Sequence, residues 1–154
     1  MKKAIIVYES LYGNTKRVAQ AIKDGMEQAG DIECSIKKTS DIHTNDLLGY
    51  DVILFGGPNH NQEPARNIMK FIDRAAIVDL NGKIGAVFDT YTGGNNGIAV
   101  ARLEATIREK LSGMELVADG FSALVEDRKG PLADKEIPRA TEFGALVGHK
   151  LLIR

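Results

Sequence analysis

The sequence predicts a doubly wound α/β protein: a three-layer sandwich whose five-stranded parallel sheet, of order 2-1-3-4-5, carries helices on both faces. Two observations lead to this fold class. Continuous apolar runs recur at the length of a buried parallel strand, and amphipathic helical patterns lie between them. Such alternation indicates parallel strands joined by helical crossovers. At 154 residues the chain is expected to form one domain, spanning residues 1–154.

Five stretches are predicted as strands. Three of them are continuous apolar runs typical of strands buried on both faces: KAIIVYE at 3–9, DVILFGG at 51–57 and KIGAVFD at 83–89. The stretch IECSIKKT at 32–39 alternates apolar and polar residues, which is typical of an edge strand. The fifth strand is expected between Glu115 and Glu126, with a bulge or turn at Asp119 and Gly120.

Four helices are predicted between these strands. They cover residues 14–29, 63–76, 97–111 and 134–151, and a short helical segment at 44–48 joins the second and third strands. Gly30 is expected to end the first helix. Pro64 suits the first turn of the second helix, Asp134 is a candidate cap of the last, and Pro138 is expected near its first turn.

Composition narrows the class of protein. With 44% hydrophobic residues, 27% charged residues and a net charge of −1, the chain resembles ordinary soluble proteins and has no long-range attraction for nucleic acid or an acidic membrane. No segment approaches the roughly 18 apolar residues of a membrane span, and the apolar N-terminal run is read as a strand.

Cys34 is the single cysteine, which favours a reducing compartment. A cytoplasmic protein is therefore expected.

Three loops are the predicted ligand site. In a doubly wound sheet, ligands bind beyond the carboxyl ends of the strands, at the point where the strand order reverses. This rule selects residues 9–15, 57–63 and 89–97. All three loops are rich in Gly, Asn, Thr and Ser, and Leu11 is their one long apolar residue.

The first loop has the composition of a phosphate-binding turn. It contains Ser10, Gly13, Asn14 and Thr15. It leads into a helix start, where unpaired N–H groups and the positive end of the dipole favour an anion. Lys16 and Arg17 follow, and an anion would offset the cost of cations in a first turn. The alternative is a turn in which Ser10 or Asn14 merely caps the helix.

The second and third loops suggest a flat polar ring. GGPNHNQEP at 56–64 places amide side chains around His60, which is either a ligand contact or a solvated loop residue. No second His or Cys at ligand spacing supports a metal. DTYTGGNNG at 89–97 places Tyr91 at a strand end, where it can stack on a planar ligand or cover an edge of the core. The three loops together predict one ligand that combines an anionic group with a planar ring.

With these loops in place, the chain resembles the flavodoxin family, which binds FMN noncovalently. SLYGNT at 10–15 is similar to the family's first loop, Thr/Ser-x-Thr/Ser-Gly-Asn-Thr. GGPNHNQEP is similar to the Gly-x-Pro-x-x-Asn loop of the flavodoxin domains in flavo-diiron proteins. FDTYTGG and GPLADKEIPRATEFG look like patterns common in bacterial and archaeal flavodoxin-domain proteins. The resemblance implies a flavodoxin-like fold with FMN as cofactor.

The resemblance also implies which residues hold FMN. The phosphate is expected at Ser10, Leu11, Tyr12, Gly13, Asn14 and Thr15. The ring and ribityl chain are expected along Pro58, Asn59, His60 and Asn61. The isoalloxazine is expected beside Asp89, Thr90, Tyr91, Gly93 and Gly94. No catalytic residue and no metal ligand is predicted.

The chain departs from the family pattern at several points. Tyr12 replaces a small hydroxyl residue, so its phosphate contact is expected through the backbone. Lys16 stands where many members carry an acid. The chain has no Trp, so Tyr91 or His60 is expected to cover the flavin face that a tryptophan often covers.

The function that the resemblance implies is electron transfer. The chain is expected to shuttle one or two electrons between redox partner proteins, as a monomer or weak dimer, with no nucleic acid and no membrane partner. The alternative is an FMN-dependent NAD(P)H:quinone oxidoreductase, against which the loops are short and build no substrate pocket. A third reading is a module of the same fold that has lost FMN and acts through interactions.

Overall fold

The sheet has the predicted order. The computed structural model describes residues 1–59, 63–94 and 96–154. Its strands are β1 (Lys2–Tyr8), β2 (Ile32–Lys38), β3 (Val52–Pro58), β4 (Ile84–Tyr91), β5 (Glu115–Leu116) and β6 (Phe121–Leu124). They run in the order β2-β1-β3-β4-β5, β6 also pairs with β4, and all pairs are parallel.

The predicted fifth strand consists of two pieces, β5 and β6. β5 pairs with Ile84 and Gly85 of β4, and β6 pairs with residues 88–91. The interruption falls around Gly120, as predicted. A Cβ at Gly120 would lie 2.7 Å from a methyl group of Val100, so the chain passes too close to its neighbours for a larger residue. β5 therefore lies beside the start of β4, and only β6 reaches the edge of the sheet where β1, β3 and β4 end.

The helices follow the prediction in number, and three of their starts differ from it by one to three residues. They are α1 (Asn14–Ala29), α2 (Arg66–Ala75), α3 (Ile98–Lys110) and α4 (Glu136–Leu152), with 3₁₀ turns at Thr39–Asp41 and Thr44–Gly49. The start of α2 at residue 63 was wrong, because the chain is still extended at Ala65, with ψ of 135°. Asp134 is not the cap of α4, because Lys135 precedes the helix in a left-handed conformation with φ of 74° and without a side-chain cap bond. Pro138 lies in the first turn, as predicted.

Helices cover both faces of the sheet. α1 and α4 pack on one face, where alternate strand residues such as Ala4 and Ile6 are fully buried. α2 and α3 pack on the other, against Ile5, Val7 and their counterparts. The central strands are therefore apolar on both sides, which explains their continuous apolar runs. Within the described residues, no helix has the combined length and apolar character needed to cross a membrane.

Candidate functional site

A cleft lies where the carboxyl ends of β1, β3 and β4 meet. The cleft is open to solvent, and the empty space within it is about 500 Å³. Residues from all three predicted loops line it: Leu11, Tyr12, Asn14, Thr15, Pro58, Asn59, Thr90, Tyr91 and Thr92. Val125 and Arg128, which follow β6, complete the lining. The fold thus brings the three loops to one place.

The first loop exposes backbone donors at the start of α1. Gly13 precedes the helix with φ of 89°, a left-handed conformation that favours glycine. The Ser10 hydroxyl accepts the N–H groups of Gly13 (3.1 Å) and Lys16 (3.3 Å), and thereby folds the loop back on itself. Among the described residues, no acceptor meets the N–H groups of Asn14 and Thr15. These two donors, at the positive end of the helix dipole, are available to an anion.

The Thr15 hydroxyl ties the first loop to β4. It lies 2.8 Å from the Thr90 hydroxyl, and either group can donate the hydrogen bond. Both side chains are buried. A hydrogen bond between buried groups holds the two loops at a set distance, since each hydroxyl would lose its partner if they separated.

The Asn14 side chain contacts a fourth loop. Its Nδ2 donates to the carbonyl oxygen of Lys129 at 3.2 Å. The amide therefore joins the first loop to the β6–α4 loop, residues 125–135. The Lys129 ammonium also lies 5.9 Å from the centroid of the exposed Tyr12 ring, a cation–π distance.

The second loop is described at residues 57–59 and at Glu63. Pro58 and Asn59 line the cleft, and the Asn59 backbone N–H donates to the carbonyl oxygen of Thr90 at 2.8 Å. This bond continues the pairing of β3 with β4 into the site. The predicted contacts at His60 and Asn61 lie outside the described residues.

The third loop separates into residues that line the cleft and residues that do not. Thr90, Tyr91 and Thr92 line it, and Tyr91 is half-buried there. Gly93, which has φ of 64°, and Gly94 are exposed and contribute no cleft wall.

Asp89 points away from the cleft, into the layer between β4 and α3. Its side chain is 2% exposed, and its register partner on β6 is Ser122. Burial raises the pKa of Asp89 to about 6; the nearby Ser122 hydroxyl and Val100 backbone N–H only partly oppose this. Neither carboxylate oxygen receives a hydrogen bond of standard geometry within the described chain. Asp89 is therefore a buried acid beneath the site.

Charged side chains of both signs lie near the cleft. Glu63 pairs with Arg102 at 2.5 Å, and the Glu9 carboxylate accepts the Thr39 hydroxyl. Lys16, Arg17 and Arg128 have no carboxylate within ion-pair distance in the described part of the chain. These three cations are therefore available to an anionic ligand such as a phosphate.

Sequence reasoning missed the β6–α4 loop. It selected loops at the point where the strand order reverses, and the loop after the last strand lies further along the edge. One signal was available. A last strand parallel to β4, as β6 is, must have its carboxyl end at the same edge of the sheet as the carboxyl end of β4. The cations Arg128 and Lys129 follow that end directly.

The cleft fits a mononucleotide with a flat ring. Free N–H donors and hydroxyls suit the phosphate, and the half-buried Tyr91 with the Asn59 amide suits a planar polar ring. The fold and the cleft thus define a doubly wound α/β protein with a candidate mononucleotide site at its β1/β3 switch point.

Comparison with known proteins specifies the family. The family model described as "Flavodoxin domain" matches residues 5–113. A flavodoxin from Clostridium saccharobutylicum is 30% identical over 120 residues, which cover 78% of this chain and 75% of that protein. A flavodoxin from Maridesulfovibrio salexigens is 29% identical over 155 residues, covering 98% of this chain and 100% of that protein. This chain belongs to the flavodoxin family.

Solved structures agree with this assignment. An archaeal flavodoxin superposes with a TM-score of 0.81 at 26% identity, covering 97% of this chain and 99% of that one. Oxidised flavodoxin 2 from Bacillus cereus superposes with a TM-score of 0.81 at 26% identity, covering 96% and 99%. Flavodoxins bind FMN and transfer electrons, and these similarities favour that function over the oxidoreductase alternative.

Proposed function

We propose that this chain is an FMN-dependent electron carrier that passes one or two electrons between redox partner proteins. The observation that carries the proposal is the meeting of two features in one cleft: free N–H donors at the start of α1 and the half-buried Tyr91 at the end of β4. The first suits a phosphate and the second a planar ring, which are the two ends of FMN.

The phosphate is held, in this proposal, by the N–H groups at the start of α1 and by the hydroxyls of Ser10 and Thr15. Ser10 already orders the loop through two backbone N–H groups. Thr15 is placed by its bond to Thr90. The Asn14 side chain acts indirectly, because its amide holds the β6–α4 loop against the phosphate loop.

The ring is expected between the second and third loops, beside Pro58, Asn59 and Tyr91. FMN supplies the one- and two-electron chemistry when it is bound, and the protein supplies binding, orientation and local charge. Tyr12 and Tyr91 are the aromatic residues of the described cleft wall. We expect Tyr91 to take the place of the tryptophan that the chain lacks.

The first test is the absorbance spectrum of the purified protein, followed by titration of the apoprotein with FMN. Flavin absorbance, or quenching of FMN fluorescence, is the expected result. Ser10→Ala should weaken FMN binding about tenfold. The backbone N–H groups of Gly13 and Lys16 would lose the hydroxyl that accepts them, and the first loop would become less ordered. Ser112→Ala, at an exposed site far along the chain, is the matched control. A purified protein that lacks flavin absorbance and does not bind added FMN would refute the proposal.

A second assay separates the carrier from an enzyme. The FMN-loaded protein is mixed aerobically with NAD(P)H and a quinone, with and without a partner reductase. A carrier consumes NAD(P)H only when the reductase is present. Substantial turnover without a reductase shows an oxidoreductase instead.

The remaining expectations belong to the same proposal. A monomer or weak dimer is expected, which sedimentation equilibrium measures directly. A cytoplasmic location is supported by Cys34, a buried free thiol that pairs with no other cysteine. Fractionation of cells that produce the protein tests this location.

A further inference from the structure

We infer that Arg128 is a phosphate-binding residue of the FMN site and makes the site select FMN over riboflavin. The inference rests on the proposed FMN function and extends it to Arg128, a residue outside the sequence motifs that carry the family resemblance. Arg128 lines the cleft together with Tyr12, Asn14 and Thr15, all from the phosphate loop.

The backbone around Arg128 is held in a closed turn. The Gly130 N–H donates to the Asp127 carbonyl oxygen at 3.0 Å, so Arg128 is the second residue of a four-residue turn. The Glu126 N–H donates to the Pro131 carbonyl oxygen at 2.9 Å, and Val125 forms an antiparallel bridge with Leu132. The base of the loop is thus ordered independently of any ligand.

The same turn is attached to the phosphate loop and to β4. The Val125 N–H donates to the Tyr91 carbonyl oxygen at 2.8 Å. The Asn14 amide donates to the Lys129 carbonyl oxygen, and a Cβ at Gly130 would lie 3.0 Å from Asn14 Oδ1. Arg128 therefore belongs to the end of the cleft that contains the start of α1.

The charge of Arg128 is available to a ligand. No carboxylate lies within ion-pair distance of its guanidinium in the described part of the chain. The neighbouring Asp127 carboxylate accepts the backbone N–H of Arg128 at 2.8 Å. Glu126 is exposed on the same loop, so the acids moderate the local potential without pairing with the guanidinium.

A phosphate monoester is the ligand chemistry that this arrangement suits. It carries about 1.5 to 2 negative charges at neutral pH, more than the partial charge of a helix start balances. The first turn of α1 contains no acid. A guanidinium can donate two parallel hydrogen bonds to phosphate oxygens, which an ammonium cannot.

A comparison of FMN with riboflavin isolates the contribution of the phosphate to binding. Riboflavin has the same ring and ribityl chain as FMN but no phosphate, so a phosphate-binding residue contributes only to FMN affinity. Arg128→Gln should weaken FMN binding about tenfold, in keeping with one charge-assisted contact at a solvent-exposed position. Riboflavin affinity should not change. Arg128→Lys should fall between wild type and Gln for FMN.

The experiment is a fluorescence titration of the apoprotein with FMN and, separately, with riboflavin, at low and high salt. Lys135→Gln is the matched control, because Lys135 is an exposed cation of the same loop that does not line the cleft. Added salt should weaken FMN binding more in wild type than in Arg128→Gln. An unchanged melting temperature of each apoprotein variant shows that the fold is retained.

Three outcomes overturn the inference. Equal losses for FMN and riboflavin place Arg128 at the ring or ribityl chain. Unchanged affinity for both shows that the guanidinium contacts neither. A wild-type protein that binds neither flavin overturns the proposed function, and the inference with it, whereas the first two outcomes leave the proposed function intact.

Discussion

Asp89 is an ionisable group that the fold places in an apolar layer. It is 2% exposed, and burial raises its pKa to about 6 from an ordinary value of 3.8. Its surroundings supply weak compensation: the Ser122 hydroxyl and the first turn of α3, whose Val100 N–H lies nearby. At neutral pH this carboxylate is charged in a place that disfavours charge. Asp89 therefore costs stability.

Asp89→Asn is expected to stabilise the apoprotein, and the gain should depend on pH. Because the folded-state pKa is the higher one, the folded protein binds more protons than the unfolded chain between about pH 4 and pH 6. Wild-type stability therefore falls as the pH rises through that window. The variant lacks this titration, so its advantage should grow from near zero at pH 4 to about 2 to 3 kcal/mol at pH 7.5.

Urea unfolding of both proteins across this pH range measures the difference. Asp24→Asn, at an exposed position of α1, is the control and should change stability little at any pH. A gain from Asp89→Asn that is the same at pH 4 and pH 7.5 would show that titration of Asp89 is not its cause.

At the scale of elements, α1 and α4 pack backbone against backbone. A Cβ at Gly144 of α4 would overlap the carbonyl oxygen of Ile22, and one at Gly25 of α1 would overlap that of Thr141. Glycine at both positions lets the two helices approach more closely than side chains allow. This packing fixes α1, whose first turn carries the phosphate loop.

Gly144→Ala is expected to destabilise the protein by about 2 to 3 kcal/mol, because α4 must move away from α1 to admit the methyl group. Gly49→Ala is the control: a Cβ there meets nothing within 4 Å, and its φ is not positive. Urea unfolding of the apoproteins compares them. Equal stabilities of the two variants would mean that the helix contact tolerates a methyl group.

At the scale of the whole molecule, the cleft joins segments that are far apart in the chain. Its walls come from the loops after β1, β3, β4 and β6. Hydrogen bonds between Thr15 and Thr90 and between Asn14 and Lys129 link those loops before any ligand binds. A ligand that contacts all four loops binds only the folded chain, and so stabilises it as a unit.

FMN at a hundred times its dissociation constant should raise the free energy of unfolding by about 2.7 kcal/mol. For a chain of 154 residues this corresponds to a rise in melting temperature of about 5 to 10 °C. Differential scanning calorimetry of the apoprotein with and without FMN measures the shift. Adenosine monophosphate at the same concentration is the control for a mononucleotide with a different planar ring, and an equal shift with both ligands would argue against a flavin site.

The sheet and three of the four cleft loops were predictable because they are encoded locally. Apolar runs mark β1, β3 and β4, and Gly13 and Gly30 bound α1 at the predicted residues. The incorrect start of α2 shows the limit of local rules. Pro64 is compatible with a first helical turn, yet Ala65, which lies close to Gly57 of β3, still has an extended ψ of 135°, and the helix begins at Arg66.

By itself, the sequence determined the strand order and the family, since periodicity and a short motif depend on neighbouring residues, and it predicted the first loop as the phosphate site. Only the tertiary structure decided that Asp89 faces α3 and that Arg128 faces the cleft. Asn14 and Lys129, which attach that loop, are 115 residues apart. No pattern of neighbouring residues predicts such a contact, because it forms only when the parallel strands bring their carboxyl ends to one edge of the sheet.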